Sequence, residues 1–138
     1  MINQQPTGAR MFTHMRIARP VINLDNAFLM YSQGLGLKKI ADFSDHQGFS
    51  GIMLGREDLP WHIEFTVCHH HPVQPLQTNE DLIVLYYPDK AEWEAACGRM
   101  RSAGFTPVSS FNPYWEVNGR TFMDDNGYRV VIQNQAWG

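Results

Sequence analysis

The sequence predicts an α+β fold made of two tandem βαβββ modules. Three observations predict it. First, apolar residues recur at helical spacing in two separate segments, which predicts two helices. Second, a short strand-like sequence precedes each predicted helix. Third, three more strand-like sequences follow each of them. Neither module could bury both faces of a sheet alone, so we expect helices on the outer face of a curved mixed sheet. The inner face would then surround a cavity.

The first module covers about residues 15–68 and begins with a predicted strand at residues 15–21. Asn23 or Asp25 can cap the helix that follows, because a short polar side chain accepts a hydrogen bond from the first turn. That helix ends in a Gly-Leu-Gly sequence, and its apolar stripe consists of Ala27, Phe28, Tyr31 and Leu35. Further strands are predicted at residues 39–44, 49–54 and 61–68.

The second module, about residues 81–134, repeats this order after a strand at residues 82–87. Asp89 and Glu92 have the spacing of a capping box, and Gly104 ends the helix. The apolar face of this helix consists of Trp93, Ala96, Cys97 and Met100. The last three strands are predicted at residues 105–111, 117–123 and 128–133.

The rest of the chain reads as connections within one domain over residues 14–135. A linker at residues 69–80 contains two prolines, and residues 1–13 form a polar N-terminal arm. The Cys-His-His-His tract at residues 68–71 could bind a metal, but its place beside the linker favours a solvated loop.

Composition limits which classes of partner the protein can bind and in which cell compartment we expect it. The 138 residues carry a formal net charge of −3, which gives no basic surface for nucleic acid. No apolar run approaches the length that crosses a bilayer, so we expect no membrane partner. Two cysteines in unrelated segments do not suggest a disulfide framework, which favours the reducing cytoplasm.

The segment Phe122-Met-Asp-Asp-Asn-Gly127-Tyr-Arg-Val-Val-Ile132 reads as a strand, a tight turn and a strand. It resembles the F-x-D-x-x-G closing hairpin of the vicinal oxygen chelate superfamily, which includes glyoxalases, extradiol dioxygenases and bleomycin-resistance proteins. The resemblance runs from about residue 15 to residue 133, and residues 112–131 also resemble an uncharacterised bacterial branch. It implies a homodimer.

The resemblance also implies where a divalent metal would be held, with one ligand on the first and last strand of each module. Those points fall on Arg16, Glu64, Asp81 and Val131. Arginine is a fixed cation and valine has no ligand atom, so the usual four-ligand site is not expected and no cofactor is assigned. A divalent metal remains possible if a register shift of two residues rebuilds the site from His14, His62, Glu64 and Asp81.

Arg16 and Glu64 would face each other if both point into the cavity, and a salt bridge is then expected. This pair could simply plug and stabilise the cavity. Alternatively, Arg16 would capture an anionic or carbonyl-bearing ligand, with Glu64 as the candidate catalytic base or acceptor and His62 and Asp81 as further ligand-binding candidates.

Five further residues could contact a ligand, and each has a plain structural alternative. Tyr114 and Trp115 could form an aromatic lid or a dimer seam. Phe49 and Met53 could line the cavity or belong to ordinary core. Arg129 could reach the cavity or stay at the surface.

Three functions follow from these candidates. The favoured one is a small-molecule-binding protein of the glyoxalase/bleomycin-resistance type that lacks the usual metal site. The second is a divalent-metal-dependent enzyme of the glyoxalase (lyase) or dioxygenase type with a rebuilt site. The third is a structural dimer with a vestigial cavity.

Overall fold

A computed structural model describes residues 11–138; the first ten residues of the predicted arm lie outside it. It confirms two successive βαβββ modules. The first has its elements at β1 (Met15–Pro20), α1 (Leu24–Leu35), β2 (Lys38–His46), β3 (Phe49–Gly55) and β4 (Trp61–Cys68). The second follows with β5 (Leu82–Tyr86), α2 (Lys90–Ser102), β6 (Thr106–Val108), α3 (Tyr114–Val117), β7 (Gly119–Met123) and β8 (Arg129–Gln133).

Each module forms its own four-stranded mixed sheet. The strand orders are β1-β4-β3-β2 and β5-β8-β7-β6. In both sheets the first strand pairs in parallel with the last strand of its module, and the other pairs are antiparallel. Within residues 11–138, backbone pairing joins no strand of one sheet to a strand of the other, so the predicted curved sheet is divided into two.

The main core lies between the two long helices, α1 and α2, and the sheet faces against which they pack. Tyr31 of α1 is fully buried, and its ring centroid lies 4.8 Å from that of Phe65 and 5.1 Å from that of Phe105. A methyl group on Gly34 would stand 3.0 Å from Met100 Sδ. Glycine therefore allows α1 and α2 to approach closely, and the helices tie the modules together.

The caps explain where both long helices begin. The Asn23 side chain accepts a hydrogen bond from the Asn26 N–H at 2.9 Å, and the Asp89 side chain accepts one from the Glu92 N–H at 2.9 Å. At the other end of α1, Gly36 takes a left-handed conformation with φ 72°. Among residues 11–138, no helix combines the length and apolar character needed to cross a membrane.

The main departure from the predicted elements lies between residues 105 and 123. The predicted strand at 105–111 is reduced to Thr106–Val108, and the single-turn helix α3 lies before the next predicted strand, with which it shares only Val117. The reason is local, because the Asn112 side chain accepts a hydrogen bond from the Tyr114 N–H at 3.0 Å and Pro113 precedes the turn. This turn places Tyr114 and Trp115 beside β7.

Candidate functional site

One face of the first sheet collects polar side chains from β1 and β4. Arg16 lies opposite His62 in the parallel register of these strands, and Glu64 lies opposite Met53 of β3. Because side chains alternate along a strand, the intervening Ile63 points to the core, where it is fully buried. We call the opposite side, which carries His14, Arg16, Met53, His62 and Glu64, the site face.

Two hydrogen bonds link three of these residues into an ordered chain. Arg16 Nε donates to His62 Nε2 at 3.1 Å, and His62 Nδ1 lies 2.7 Å from His14 Nε2. A guanidinium can only donate, so His62 Nε2 must be the unprotonated nitrogen. His62 is then neutral, and its Nδ1–H donates to His14.

The surroundings of His62 favour this neutral form. Burial lowers the pKa of His62 from its usual value, and the charge of Arg16 and the neighbouring His14 lower it further. Glu64 acts in the opposite direction. The site face therefore holds a neutral imidazole between a cation and a second imidazole.

Arg16 and Glu64 form the ion pair expected from the sequence. Arg16 Nη1 lies 3.6 Å from Glu64 Oε1, with 49% of the arginine side chain exposed and 11% of the glutamate side chain. Within the described residues, the Glu64 carboxylate accepts no hydrogen bond shorter than this contact. A carboxylate has room for several donors, so Glu64 keeps unused acceptor capacity beside a half-exposed guanidinium.

Apolar side chains border the ion pair. Arg16 Nη2 lies 3.9 Å from Met53 Sδ. A methyl group on Gly51 would stand 2.5 Å from Phe43 Cε1, so the Phe43 ring lies across β3 at this glycine. Phe49, two residues before Gly51, is partly exposed on the same face. Phe43 was not among the sequence candidates, although a glycine within an alternating strand could have indicated a close neighbour.

Asp81 takes part in a local turn before β5. Its carboxylate accepts hydrogen bonds from the Thr78 N–H at 2.7 Å and from the Thr78 hydroxyl at 3.0 Å. These bonds hold the pKa of Asp81 below its usual range. Among residues 11–138, no three His, Cys, Asp or Glu side chains converge in a way that could hold a metal ion.

The corresponding face of the second sheet is largely filled. Val131 is fully buried, and Arg129 Nη1 donates to the Ser109 carbonyl at 3.1 Å. Trp115 is half-buried beside the exposed Tyr114, and their rings meet edge to face with centroids 4.8 Å apart. The loop after β6 thus occupies the region where the sequence suggested a lid, and the open polar face belongs to the first module.

A cleft of about 700 Å³ lies at the other end of the first sheet. It lies between the start of α1, the ends of β3 and β4, and the linker, so it does not include the site face. Its lining includes Asn23, Ser50, Cys68, His69 and Gln74.

Two family models match consecutive parts of this chain. The YycE-like N-terminal domain matches residues 15–66, and the YycE-like C-terminal domain matches residues 80–134. The chain belongs to the YycE-like family. The two matched ranges lie close to the bounds of the two modules.

Relatives of the YycE-like family extend the comparison. Uncharacterized protein YycE of Bacillus subtilis is 38% identical over 120 residues, which cover 87% of this chain and 86% of that protein. A crystal structure of a YycE protein from the same organism, of unknown function and with a suggested glyoxalase or fosfomycin-resistance role, aligns with a TM-score of 0.84. That alignment has 36% identity and covers 92% of each chain.

More distant structures share the fold alone. Glyoxalase I of Leishmania major aligns with a TM-score of 0.68 at 15% identity, covering 92% of this chain and 88% of that one. TnmS3, an antibiotic binding protein from Streptomyces sp. CB03234, aligns with a TM-score of 0.60 at 17% identity, covering 90% and 94%. The fold is that of the vicinal oxygen chelate superfamily, as the closing hairpin predicted.

Proposed function

We propose that this protein binds a small, flat organic molecule on the site face and needs no metal to do so. One observation carries the proposal: the half-exposed Arg16 guanidinium lies beside a nearly buried Glu64 whose acceptor capacity is unused. The Glu64 side chain keeps 11% exposure and its carboxylate lies 3.6 Å from the guanidinium, beyond hydrogen-bond distance, so it can accept hydrogen bonds from a bound molecule.

The chemistry of the pair defines the class of ligand. Arg16 supplies donors for a carbonyl or carboxylate oxygen, and Glu64 accepts from an amide or hydroxyl hydrogen. Phe43, Phe49 and Met53 offer apolar surface for a ring beside these groups. The ligand we propose is therefore a planar ring that carries an acceptor next to a donor, as salicylamide does.

Arg16 also disfavours the metal-dependent alternative. It occupies a point where the superfamily resemblance implies a metal ligand, and its fixed charge repels a nearby cation. The fold itself serves both kinds of protein, since it is shared by glyoxalase I and by an antibiotic binding protein. Chemistry at the site, and not the fold, decides between them.

A homodimer and a cytoplasmic location complete the proposal. Among residues 11–138, β1 and β5 are edge strands in their own sheets, and each pairs with a neighbouring strand on one side. A partner strand beside β1 would extend the sheet next to Arg16, at the border of the site face. Cys68 and Cys97 are both free thiols, which suits a reducing compartment.

Isothermal titration with salicylamide, and with benzoate as a probe that lacks the donor, tests the binding site. We expect Arg16→Met and Glu64→Gln each to weaken salicylamide binding about ten-fold or more, the loss typical of a hydrogen bond to a charged group. Benzoate should lose affinity with Arg16→Met and gain it with Glu64→Gln, because the competing carboxylate is gone. Arg56→Met, which removes another ion-paired arginine, is the matched control.

Other outcomes would redirect the assignment. No heat with either probe or with a wider panel of flat acids and amides would favour the structural dimer with a vestigial cavity. Stoichiometric divalent metal in the dialysed protein, lost in Glu64→Gln, would instead favour the metal-dependent enzyme.

A further inference from the structure

We propose that the cleft beside the start of α1 contains a second site, in which Ser50 and His69 hydrolyse small carboxylic esters. Ser50 Oγ lies 2.7 Å from His69 Nε2, and both residues line the cleft of about 700 Å³. A hydroxyl in hydrogen-bond contact with an imidazole nitrogen is the basic unit of a serine nucleophile and its general base.

A second hydrogen bond orients the hydroxyl. The backbone N–H of Asp45 donates to Ser50 Oγ at 3.0 Å. With one lone pair engaged in this way, the hydroxyl hydrogen is free to point at His69 Nε2 when the imidazole proton is on Nδ1. The same contact leaves the remaining lone pair of Oγ for an electrophile.

The turn that supplies this donor is itself unusual. Asp45 near the end of β2 and Gln47 in the turn that follows both have positive φ, 50° and 52°. Non-glycine residues in this region carry strain that surrounding contacts must maintain. One such contact holds the histidine, since the His69 N–H donates to the Gly48 carbonyl at 2.8 Å. The strained turn therefore positions both members of the pair.

The first turn of α1 also lines the cleft and offers donors for a developing negative charge. Leu24 and Asp25 line it at the first turn of α1. The Asn23 side chain is engaged by the Asn26 N–H, and the Ala27 N–H bonds the Asn23 carbonyl. Within the described residues, the N–H groups of Leu24 and Asp25 have no such partner, as is usual at a helix start, and can donate to an oxyanion.

The reaction is complete with water as the co-reactant. Ser50 Oγ bonds to the acyl carbon, its proton passes to His69 Nε2, and the alcohol leaves with that proton as its C–O bond breaks. Water then attacks the acyl-serine, His69 accepts the water proton, and Ser50 Oγ leaves and recovers a proton. One ester and one water give one acid and one alcohol.

This second site is separate from the site face. Ser50 alternates with Phe49 and Gly51 along β3, so its side chain points to the helix-bearing side of the sheet. Failure of ligand binding at Arg16 and Glu64 would therefore leave the ester-hydrolysis proposal intact, and the converse also holds.

Hydrolysis of 4-nitrophenyl acetate by the full chain tests the site. We expect Ser50→Ala and His69→Ala to lower the protein-dependent rate about a hundred-fold, the usual contribution of a positioned nucleophile and base. Exposed histidines also hydrolyse this ester slowly, so His71→Ala, a neighbouring exposed histidine outside the cleft, is the matched control and should keep the rate. Ser32→Ala, a serine on α1 that bonds the Leu29 carbonyl, is the serine control.

A covalent label provides a readout that does not depend on how the variants fold. Wild-type protein treated with a fluorophosphonate should gain one phosphonyl group, with loss of fluoride, on the peptide that contains Ser50. Label found elsewhere, no label at all, or an equal fall in rate for His69→Ala and His71→Ala would overturn the proposal.

Discussion

At the scale of single residues, the hydrogen bond from Arg16 Nε fixes the protonation state of His62. Protonated His62 would present a second donor to a guanidinium that can only donate. The pKa of His62 is lowered, first by burial and then by Arg16 and His14. Protonating His62 is therefore harder in the folded protein than in the unfolded chain. His62 therefore connects the geometry of the site face to pH.

We expect the free energy of unfolding to fall as the pH drops from about 6.5, the ordinary value for unfolded histidine, through the lowered pKa of folded His62. In this window the unfolded chain binds more protons than the folded one, so acid favours unfolding. Urea denaturation across a pH series should show a flatter slope for His62→Gln than for wild type. His46→Gln, which removes an exposed histidine at the end of β2, should keep the wild-type slope.

Sequence reasoning reached part of the residue-level picture. The ion pair of Arg16 and Glu64 could be predicted, because the positions of these residues on the first and last strands of the module place both side chains on one face of the sheet. Phe43 could not be found in this way, because the pairing of β2 with β3 shifts register between Phe43 and His46. The position of Asp81 along the predicted strand did not reveal that its carboxylate accepts a hydrogen bond from Thr78, three residues earlier.

At the scale of secondary-structure elements, Asp124 ties the closing hairpin to α1. One carboxylate oxygen accepts from the Asn126 and Tyr128 backbone N–H groups at 2.8 and 2.9 Å, and the other accepts from the Tyr31 hydroxyl at 2.8 Å. Asp124 is almost fully buried, and burial raises the pKa of its carboxyl in spite of these hydrogen bonds. Its role is to satisfy three donors at a junction of two modules.

We expect Asp124→Ala to lower the free energy of unfolding by about 3 kcal/mol, because it leaves buried donors unsatisfied. Asp124→Asn should stay within about 1 kcal/mol of wild type at neutral pH, since the amide oxygen can accept from both backbone N–H groups and the amide nitrogen can donate to the Tyr31 hydroxyl oxygen. The raised pKa gives the sign: ionising Asp124 costs folding stability as the pH rises through it. Chemical denaturation of both variants measures this, and equal losses would show that the charge itself is required.

The elements themselves were largely predictable, with one instructive exception. The positions of both long helices could be predicted from apolar periodicity and capping residues, since the side chains of Asn23 and Asp89 each accept a hydrogen bond from the first turn as expected. The helix α3 was missed because a four-residue turn is too short for periodicity to reveal. The Asn112-Pro113 pair that starts it was the available signal.

At the scale of the whole molecule, each of the two sheets in residues 11–138 has two edge strands, and an unpaired edge favours assembly of two copies. Strand β1 presents the 45% exposed Met15 at its free edge. The sequence could suggest a dimer only through its resemblance to the superfamily, because edge exposure depends on which strands pair. A second copy along β1 would also bury the open side of Arg16.

Light scattering after gel filtration should give about twice the chain mass of 15.9 kDa for the wild-type protein. Met15→Lys, which places a charge on the β1 edge, should shift the protein toward the monomer. Ile40→Lys is the matched control, because Ile40 is comparably exposed on β2, at the opposite edge of the same sheet. A monomeric wild type, or equal effects of both variants, would argue against a dimer through β1.

The parallel pairing of the first and last strand in each module has a consequence for how the chain folds during synthesis. Within residues 11–138, β1 pairs with β4 alone, so the first sheet cannot close before the strand β4, which ends at residue 68, has left the ribosome. Once closed, it still exposes the side of α1 that later contacts α2, including Tyr31 and Gly34. The nascent first half therefore passes through a stage with an ordered sheet and a bare helix surface, and chaperone contact or premature pairing with a second nascent chain would occur at that stage.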